Sequence, residues 1–490
     1  MSLPYLGLGL STNAQVTDVP HPYRLLDASP GAFDFVEYSA PLELTQAHAE
    51  ATLFAQMLER RAEVPLLYHP VHINLWGPVV EAPDRLKALA EHVAAVSSPW
   101  VSNDVGWWHQ GDAALPGYLY LAPPLNAEGV AGATMHVAAL RDAMTVPVLL
   151  ENPVVMTARG ELHVLDFMER LSTATHCNLL LDVGHLYSHQ LARGLSLTEG
   201  LGSFPFERVV EVHIAGGVVT SRGARKIYID DHPQPIRDEV WALLEHVLPR
   251  CTSLRALTYE GDGHPDAVAR LNLKRMRSLL LGGAETTSPP DLPKAEASAR
   301  LEPARAWQTF DDVHRGHCPE DPVGATAELD FRLAVLAQTL DAAVPLTRLA
   351  VAATREPLAR FIASESVRDW FEQGTRDIVD VFVAWALREA RNEALQGAEA
   401  LVSLEAWARH TARRLASGST MSAVFPVCLT EAVHAAKSVH RHLTARGWWS
   451  DTGLESSGLD AVLQAARRSA PGPWAVTLRR LGAKIEVLEP

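Results

Sequence analysis

Short apolar runs in the first 260 residues end repeatedly in a carboxylate or an imidazole. Glu37 stands in Phe35-Val36-Glu37-Tyr38, His69 in Leu67-Tyr68-His69-Pro70 and Asp104 in Ser102-Asn103-Asp104-Val105. Glu151 follows in Leu149-Leu150-Glu151-Asn152-Pro153, then Asp182 and His185 in Leu181-Asp182-Val183-Gly184-His185. Glu211 and His213 alternate in Val210-Glu211-Val212-His213, Asp230 and His232 are expected on the following loop, and Glu260 ends the run Ala256–Glu260. A single His or Glu at a strand end is ordinarily a hydrogen-bonded structural group. Here the same register recurs on consecutive runs. Carboxylates gathered at the end of apolar strands are costly to desolvate unless paired or bound to cations. Neutral imidazoles among them cancel no charge, so divalent or trivalent cations are the expected partners. Mixed His and carboxylate donors without thiolate suit Fe, Mn or Zn. One ion takes only about four to six donors, so this set implies roughly two or three ions sharing bridging carboxylates. Glu37 reads equally as a ligand and as a wall of the site. Glu211 shares a face with His213, as a ligand or as a carboxylate that fixes an imidazole tautomer.

The elements that must carry these groups are legible as runs of strand type. They are Tyr5–Leu10, Phe33–Ser39, Pro65–Ile73, Trp100–Gly106, Val146–Glu151, Asn178–Val183, Val209–Ala215 and Ala256–Glu260. Eight such runs separated by helix-length segments predict an α/β fold, a closed (β/α)8 TIM barrel, whose chemistry sits where strands end. Near-continuous apolar stretches such as Leu179-Leu180-Leu181 suit strands buried on both faces. The domain reading is a barrel over 1–283, a Gly/Ser/Thr/Pro-rich linker over 284–298, and a mainly α-helical domain over 299–490. Within the last, Phe331–Ala343, Pro357–Ser364, Trp370–Gly397 and Leu404–Leu415 read as amphipathic helices. Trp474–Leu478 and Lys484–Leu488 read as a short hairpin.

Composition limits the function. The chain has 490 residues, 47% of them hydrophobic, with Lys+Arg 43 against Asp+Glu 58 and a net charge of −15. That balance argues against broad nucleic-acid binding, which needs a basic footprint. The 4 cysteines share no close spacing, against a disulfide scaffold or a thiolate zinc site. The N-terminus lacks the pattern of a signal peptide, and no run of about 18 apolar residues spans a membrane. A cytoplasmic protein is expected, with no membrane partner.

Other residues carry weaker signals. His72, His109, His189 and His264 read as neighbours of the site or substrate contacts. Trp107-Trp108 reads as packing before pocket wall, and Cys177 as a buried thiol. Arg222, Arg225 and Lys226 read as surface charge before contacts to an acidic substrate. His314, His317 and Cys318 make a poor zinc signal.

Taken in order, Gly7-Leu8-Gly9-Leu10, Val36-Glu37-Tyr38, His69, Glu151-Asn152-Pro153, Asp182-Val183-Gly184-His185, Glu211-Val212-His213-Ile214-Ala215-Gly216, Asp230-Asp231-His232 and Glu260 form a specific series. The series resembles the multinuclear non-heme iron-dependent oxidative enzymes (MNIO), the family of methanobactin and 3-thiaglutamate biosynthesis. The resemblance covers about residues 5–280. It implies a barrel holding two or three irons, mixed Fe(II)/Fe(III), that uses O2 to modify a ribosomally made precursor peptide, often at cysteine. Carried over by position, His69, Asp104, Glu151, Asp182, His185, His213, Asp230, His232 and Glu260 are the expected iron ligands. Asp104, Glu151, His185 and Asp230 are assigned the catalytic work. One departure stands out: the family commonly has Ser-Glu-His after the fourth strand, and this chain has Ser102-Asn103-Asp104. Family members usually work with a separate partner protein, which the fused helical region is expected to replace; a homodimer is also compatible with the reading. The competing readings are a Zn- or Mn-dependent barrel hydrolase or isomerase, and a non-catalytic metal-dependent peptide-binding protein.

Overall fold

The computed structural model describes residues 3–40, 53–117, 120–222, 225–281, 287, 289, 302–352, 355–374, 377–392, 398–414, 420–425, 474–481 and 484–488. Eight strands form a closed barrel. They are β1 (Gly7–Thr12), β2 (Phe35–Tyr38), β3 (Leu66–Tyr68), β4 (Val101–Asp104), β5 (Val148–Glu151), β6 (Asn178–Asp182), β7 (Val209–Ala215) and β8 (Ala256–Glu260). Every neighbouring pair is parallel, and β1 pairs with both β2 and β8 to close the ring. The expected TIM barrel is therefore present, with the first run displaced from Tyr5–Leu10 to Gly7–Thr12.

The barrel interior is layered by the two-residue period of a strand. Phe35, Leu67, Trp100, Leu149, Leu180 and Ala256 form one apolar cluster. Two residues further along six of the strands stand Glu37, His69, Ser102, Glu151, Asp182 and Thr258; on β7 the cluster member Val210 is followed instead by Val212, where the β6–β7 register shifts. An apolar floor thus lies directly beneath a polar storey. Each large apolar side chain in such a floor contributes roughly 1.5–3 kcal/mol by leaving water.

Asp230 departs from expectation. It ends not a loop but a strand, Arg225–Asp230, paired antiparallel with Gly217–Arg222 so that Asp230 lies opposite Gly217. The alternation of β-branched and aromatic residues in Val218-Val219 and Ile227-Tyr228-Ile229 accounts for the hairpin.

By compactness the chain divides into two units, Met1–Trp108 with Tyr120–Ala327, and His109–Leu119 with Glu328–Pro490. The linker expected over 284–298 lies outside the described residues apart from 287 and 289. In the second unit, the single helix expected over Trp370–Gly397 is two, Glu365–Gln373 and Ile378–Asn392. Gly374 caps the first in the left-handed region, with φ 65°, and its N–H returns to the Trp370 carbonyl. The expected terminal hairpin is present as Trp474–Leu481 against Lys484–Leu488, and Thr420–Phe425 adds a third, unanticipated strand. Among the described residues, no helix is long and apolar enough to cross a membrane.

Candidate metal centre

The polar storey converges. Asp104 and Glu151 are neighbours in register on β4 and β5, and Asp182 and His213 on β6 and β7. Asp182 also caps the helix Val183–Arg193, accepting from the His185 N–H at 2.6 Å, which explains the spacing of Asp182-Val183-Gly184-His185. Overlapping groups with the geometry to hold a metal ion are His69–Asp104–Glu151, Glu151–Asp182–His185, Asp182–His213–Glu260 and Glu37–Glu211–His213. Among the described residues these are all the groups of that kind, and His314, His317 and Cys318 form none.

Three of the four imidazoles share one arrangement: His69, His213 and His232 each give one nitrogen to a neighbour and turn the other to the carboxylates, whereas His185 Nδ1 serves the Asn152 carbonyl and also lies 3.4 Å from Glu151 and 3.7 Å from Asp104. His69 has Nδ1 at 3.1 Å from Ser102 Oγ, while Nε2 lies 3.5 Å from Glu151 and 3.7 Å from Asp104. His185 places Nδ1 2.8 Å from the Asn152 carbonyl, and Nε2 lies 3.6 Å from Asp230. His213 places Nε2 3.1 Å from Glu37, with Nδ1 3.5 Å from Glu260 and 3.8 Å from Glu151. His232 places Nδ1 3.2 Å from Asp262 and Nε2 3.1 Å from Asp230. Partners of this kind fix the tautomer and leave a lone pair aimed at a cation.

The donors fit metal ions on a second ground. Glu151 Oε2, Asp182 Oδ2, Asp230 Oδ1 and His213 Nδ1 are buried with no hydrogen-bond partner. A buried donor or acceptor left unpaired costs about 1–3 kcal/mol. Four in one cluster make sense when cations complete them.

The electrostatics agree. Burial raises Glu37 and Glu151 well above the ordinary carboxylate range and pushes Asp182 up to about 6. Burial also works against charge on Asp230 and Glu260, yet His232 and His185 around the first, and His213 and His232 around the second, outweigh it and lower both. Burial works to lower His185, His213 and His232, but the surrounding carboxylates hold all three well above the usual imidazole value. Without metal, the cluster is held together by shared protons; cations would replace them.

Of the residues singled out from the sequence, His69, Asp104, Glu151, Asp182, His185, His213, Asp230, His232 and Glu260 all come together. Glu37 and Glu211 sit one step further out, on Nε2 of His213; Glu211 is held by the Trp100 indole N–H at 2.9 Å and Thr258 Oγ1 at 3.2 Å. His189 is instead a buried packing residue, accepting from the Val164 N–H, and burial pushes it down to about 3. His264 pairs with the Tyr259 hydroxyl, and Arg225 with Asp321. Cys177 is buried, its thiol pushed up to about 11. Trp107 packs against Trp76, Trp307 and Phe310. The sequence reading missed Tyr120, whose hydroxyl reaches Asp104, and Asp262, which holds His232. Asp262 lies on the turn after β8, where strand spacing no longer applies, and Tyr120 carried no local signal.

The family described as RiPP precursor modification enzyme MbnB/TglH/ChrH matches residues 8–277. A UPF0276 protein of Caulobacter vibrioides is 29% identical over 282 residues, 56% of this chain and 95% of its own length. A UPF0276 protein of Shewanella sediminis is 28% identical over 243 residues, 48% of this chain and 81% of its own. Among solved structures, a D-allulose 3-epimerase from Methylomonas sp. covers 57% of this chain and 99% of its own at 13% identity and a TM-score of 0.36. Endonuclease IV from Thermus thermophilus covers 57% and 100% at 17% identity and a TM-score of 0.37. Those two likenesses carry nothing about activity. The family match is different in kind, because it runs from the first barrel strand past the last and takes in all of the converging donors. On that match the chain belongs to the RiPP precursor modification enzymes of the MbnB/TglH/ChrH family.

Proposed function

We propose that the protein is an iron- and O2-dependent oxidoreductase that modifies a ribosomally synthesised precursor peptide, with cysteine the first target residue to test. The ligands are His69, Asp104, Glu151, Asp182, His185, His213, Asp230, His232 and Glu260. The observation that carries the reading is the convergence of the imidazoles of His69, His185, His213 and His232 on buried carboxylates, where Glu151 Oε2, Asp182 Oδ2, Asp230 Oδ1 and His213 Nδ1 have no hydrogen-bond partner. Bound iron, two or three ions in mixed Fe(II)/Fe(III) states, would supply the redox chemistry with O2. Glu151 lies within 3.4–3.8 Å of nitrogens on His69, His185 and His213 and would hold iron from the centre of the donor set. His185 stands between Glu151 and Asp230, with Nδ1 toward Asn152 and Glu151 and Nε2 toward Asp230, so it orients both. The apolar floor beneath keeps water out of the centre from below. The catalytic work is assigned to Asp104, Glu151, His185 and Asp230, and residues 299–490 are assigned the presentation of the peptide in place of a separate partner protein.

Protein grown in iron-57 and purified without oxygen tests the centre by metal analysis and Mössbauer spectroscopy. The expected result is two or three irons per chain, partly ferrous, with O2 uptake that depends on the precursor peptide. Zinc or manganese persisting after anaerobic iron reconstitution would overturn the iron assignment and favour a hydrolase or isomerase. For the helical region, a precursor peptide carrying a photo-crosslinker is expected to label residues beyond 299 of the full chain; labelling confined to the barrel would remove the presenting role.

A further inference from the structure

The Tyr120 ring is seated beside the end of β4. The neighbouring residue Leu121 exchanges two backbone hydrogen bonds with Trp107, each 2.9 Å, which pins the segment three residues past Asp104. The ring packs on Trp108 with centroids 4.6 Å apart. Gly106 leaves the space: a Cβ there would lie 2.5 Å from Tyr120 Cδ2. The hydroxyl is just as defined. It accepts the Val154 backbone N–H at 2.8 Å, which directs its own hydrogen toward Asp104 Oδ1 at 3.1 Å. The other carboxylate oxygen, Oδ2, is the one that faces His69 Nε2.

We infer that Tyr120 is a positioning residue that makes Asp104 a one-sided ligand, holding Oδ1 in a hydrogen bond so that Oδ2 is presented to the ion shared with His69 and Glu151. The inference rests on the metal-centre reading above. A free carboxylate can rotate about its Cβ–Cγ bond and chelate through both oxygens. The phenol removes that freedom, and its supports (Val154 N–H, Trp108, Gly106) belong to different segments and move little. The short Asp104 side chain gains from such a brace more than a longer ligand would, since it has few rotamers with which to recover a lost geometry. Supports of this kind typically affect metal affinity by roughly 10- to 100-fold.

The test is anaerobic Fe(II) titration with Mössbauer spectra on full-length wild type, Tyr120→Phe, Asp104→Asn, the double variant and Trp108→Phe. Y120F keeps the ring and loses only the hydroxyl. The expected result is a melting curve for Y120F lowered only modestly, since the Val154 N–H loses its acceptor, with one ion bound about tenfold or more weakly and one quadrupole doublet altered. D104N weakens the same ion, and the double variant is no worse than D104N, because the two act through one contact. W108F, which loosens the ring seat but keeps the hydroxyl, retains the wild-type doublets. Wild-type affinity and spectra in Y120F, beside a defective D104N, would overturn the inference alone. So would Y120F and W108F altering all ions equally, the mark of a general packing role. A wild-type chain that takes up no iron would overturn the metal-centre reading as well.

Discussion

Glu37 Oε1 lies 3.1 Å from His213 Nε2, and both side chains are fully buried. Glu211 approaches the same nitrogen at 3.5 Å, whereas Glu260 and Glu151 face Nδ1. The ring is thereby fixed with a hydrogen on the Glu37 edge and a lone pair on the open edge. Glu37 acts through His213. Glu37→Gln keeps the shape and replaces the carboxyl acceptor with an amide that also brings donors. Anaerobic Fe(II) titration is expected to show one ion bound roughly 10- to 100-fold more weakly, with the total number of sites unchanged at saturation. Unaltered affinity would make Glu37 a packing residue only.

The metal-free protein has a definite pH dependence. Asp182, pushed up to about 6, binds its proton more tightly in the fold than in the unfolded chain, so its contribution falls as pH rises from about 4 to 6. His185, His213 and His232 are also raised, and their contribution falls as pH climbs above the unfolded imidazole value of about 6.5. Glu260, lowered to about 2, works the other way, but only below about 4.5. Buried His92 and His189, lowered to about 4 and about 3, act in the opposite sense over the same interval, so the cluster is read by difference: chelator-treated wild type should exceed chelator-treated His232→Ala in melting temperature by more at about pH 5.5 than at about pH 7.5. Metal displaces those protons, so the stabilisation by added Fe(II) should grow over the same interval. Thermal melts of both proteins at both values, with and without metal, check this; a difference between wild type and variant that does not shrink at the higher pH would contradict the proton-sharing cluster.

Asn152 does structural work beside the ligand Glu151. Its side chain donates to the Asp182 carbonyl at 3.0 Å and accepts the Asp182 N–H at 2.9 Å, and its own carbonyl faces His185 Nδ1. One residue thus ties β5 to the end of β6 and sets the tautomer of a ligand. Asn152→Ala leaves two buried backbone groups unpaired, at about 1–3 kcal/mol each. Urea unfolding of the metal-free variant is expected to show a loss of about 2–4 kcal/mol, within that range. A loss near zero would mean that water replaces the side chain.

The barrel and its donors were legible because a strand has a period of two. Phe35 and Glu37, Leu67 and His69, Leu149 and Glu151, and Leu180 and Asp182 each share a face, so apolar floor and polar storey could be read from spacing alone. The difference between holding a metal and holding a ligand could not. Glu211 and His213 have the same spacing, and Trp100, just before β4, and Thr258, on β8, hold Glu211 toward Nε2. Tyr120 reaches Asp104 across a segment with no periodic pattern, so nothing nearby announces it. The break at Gly374 was readable, since a glycine after a helical run is a common end signal, but the apolar periodicity on either side obscured it.

Gly216 follows the last residue of β7, where the chain turns from barrel to hairpin. A Cβ there would lie 1.7 Å from the Gln234 carbonyl oxygen and 2.7 Å from that of His232. The Gly216 carbonyl also accepts the Asp231 N–H. The absence of a side chain therefore lets the segment bearing Asp230 and His232 close over the mouth. In Gly216→Ala the backbone of that segment must move, because a carbonyl cannot swing aside as a flexible side chain can. The barrel strands precede the clash, so overpacking is expected to cost only about 1–3 kcal/mol of stability. The consequence for the site is larger: Asp230 and His232 are withdrawn together, whereas His69, Asp104 and Glu151 stay. Metal analysis of G216A is expected to show the loss of one ion per chain, with the remaining Mössbauer doublets matching those of His232→Ala. A full metal complement in G216A beside a deficient H232A would mean that the loop finds a second path to the same geometry.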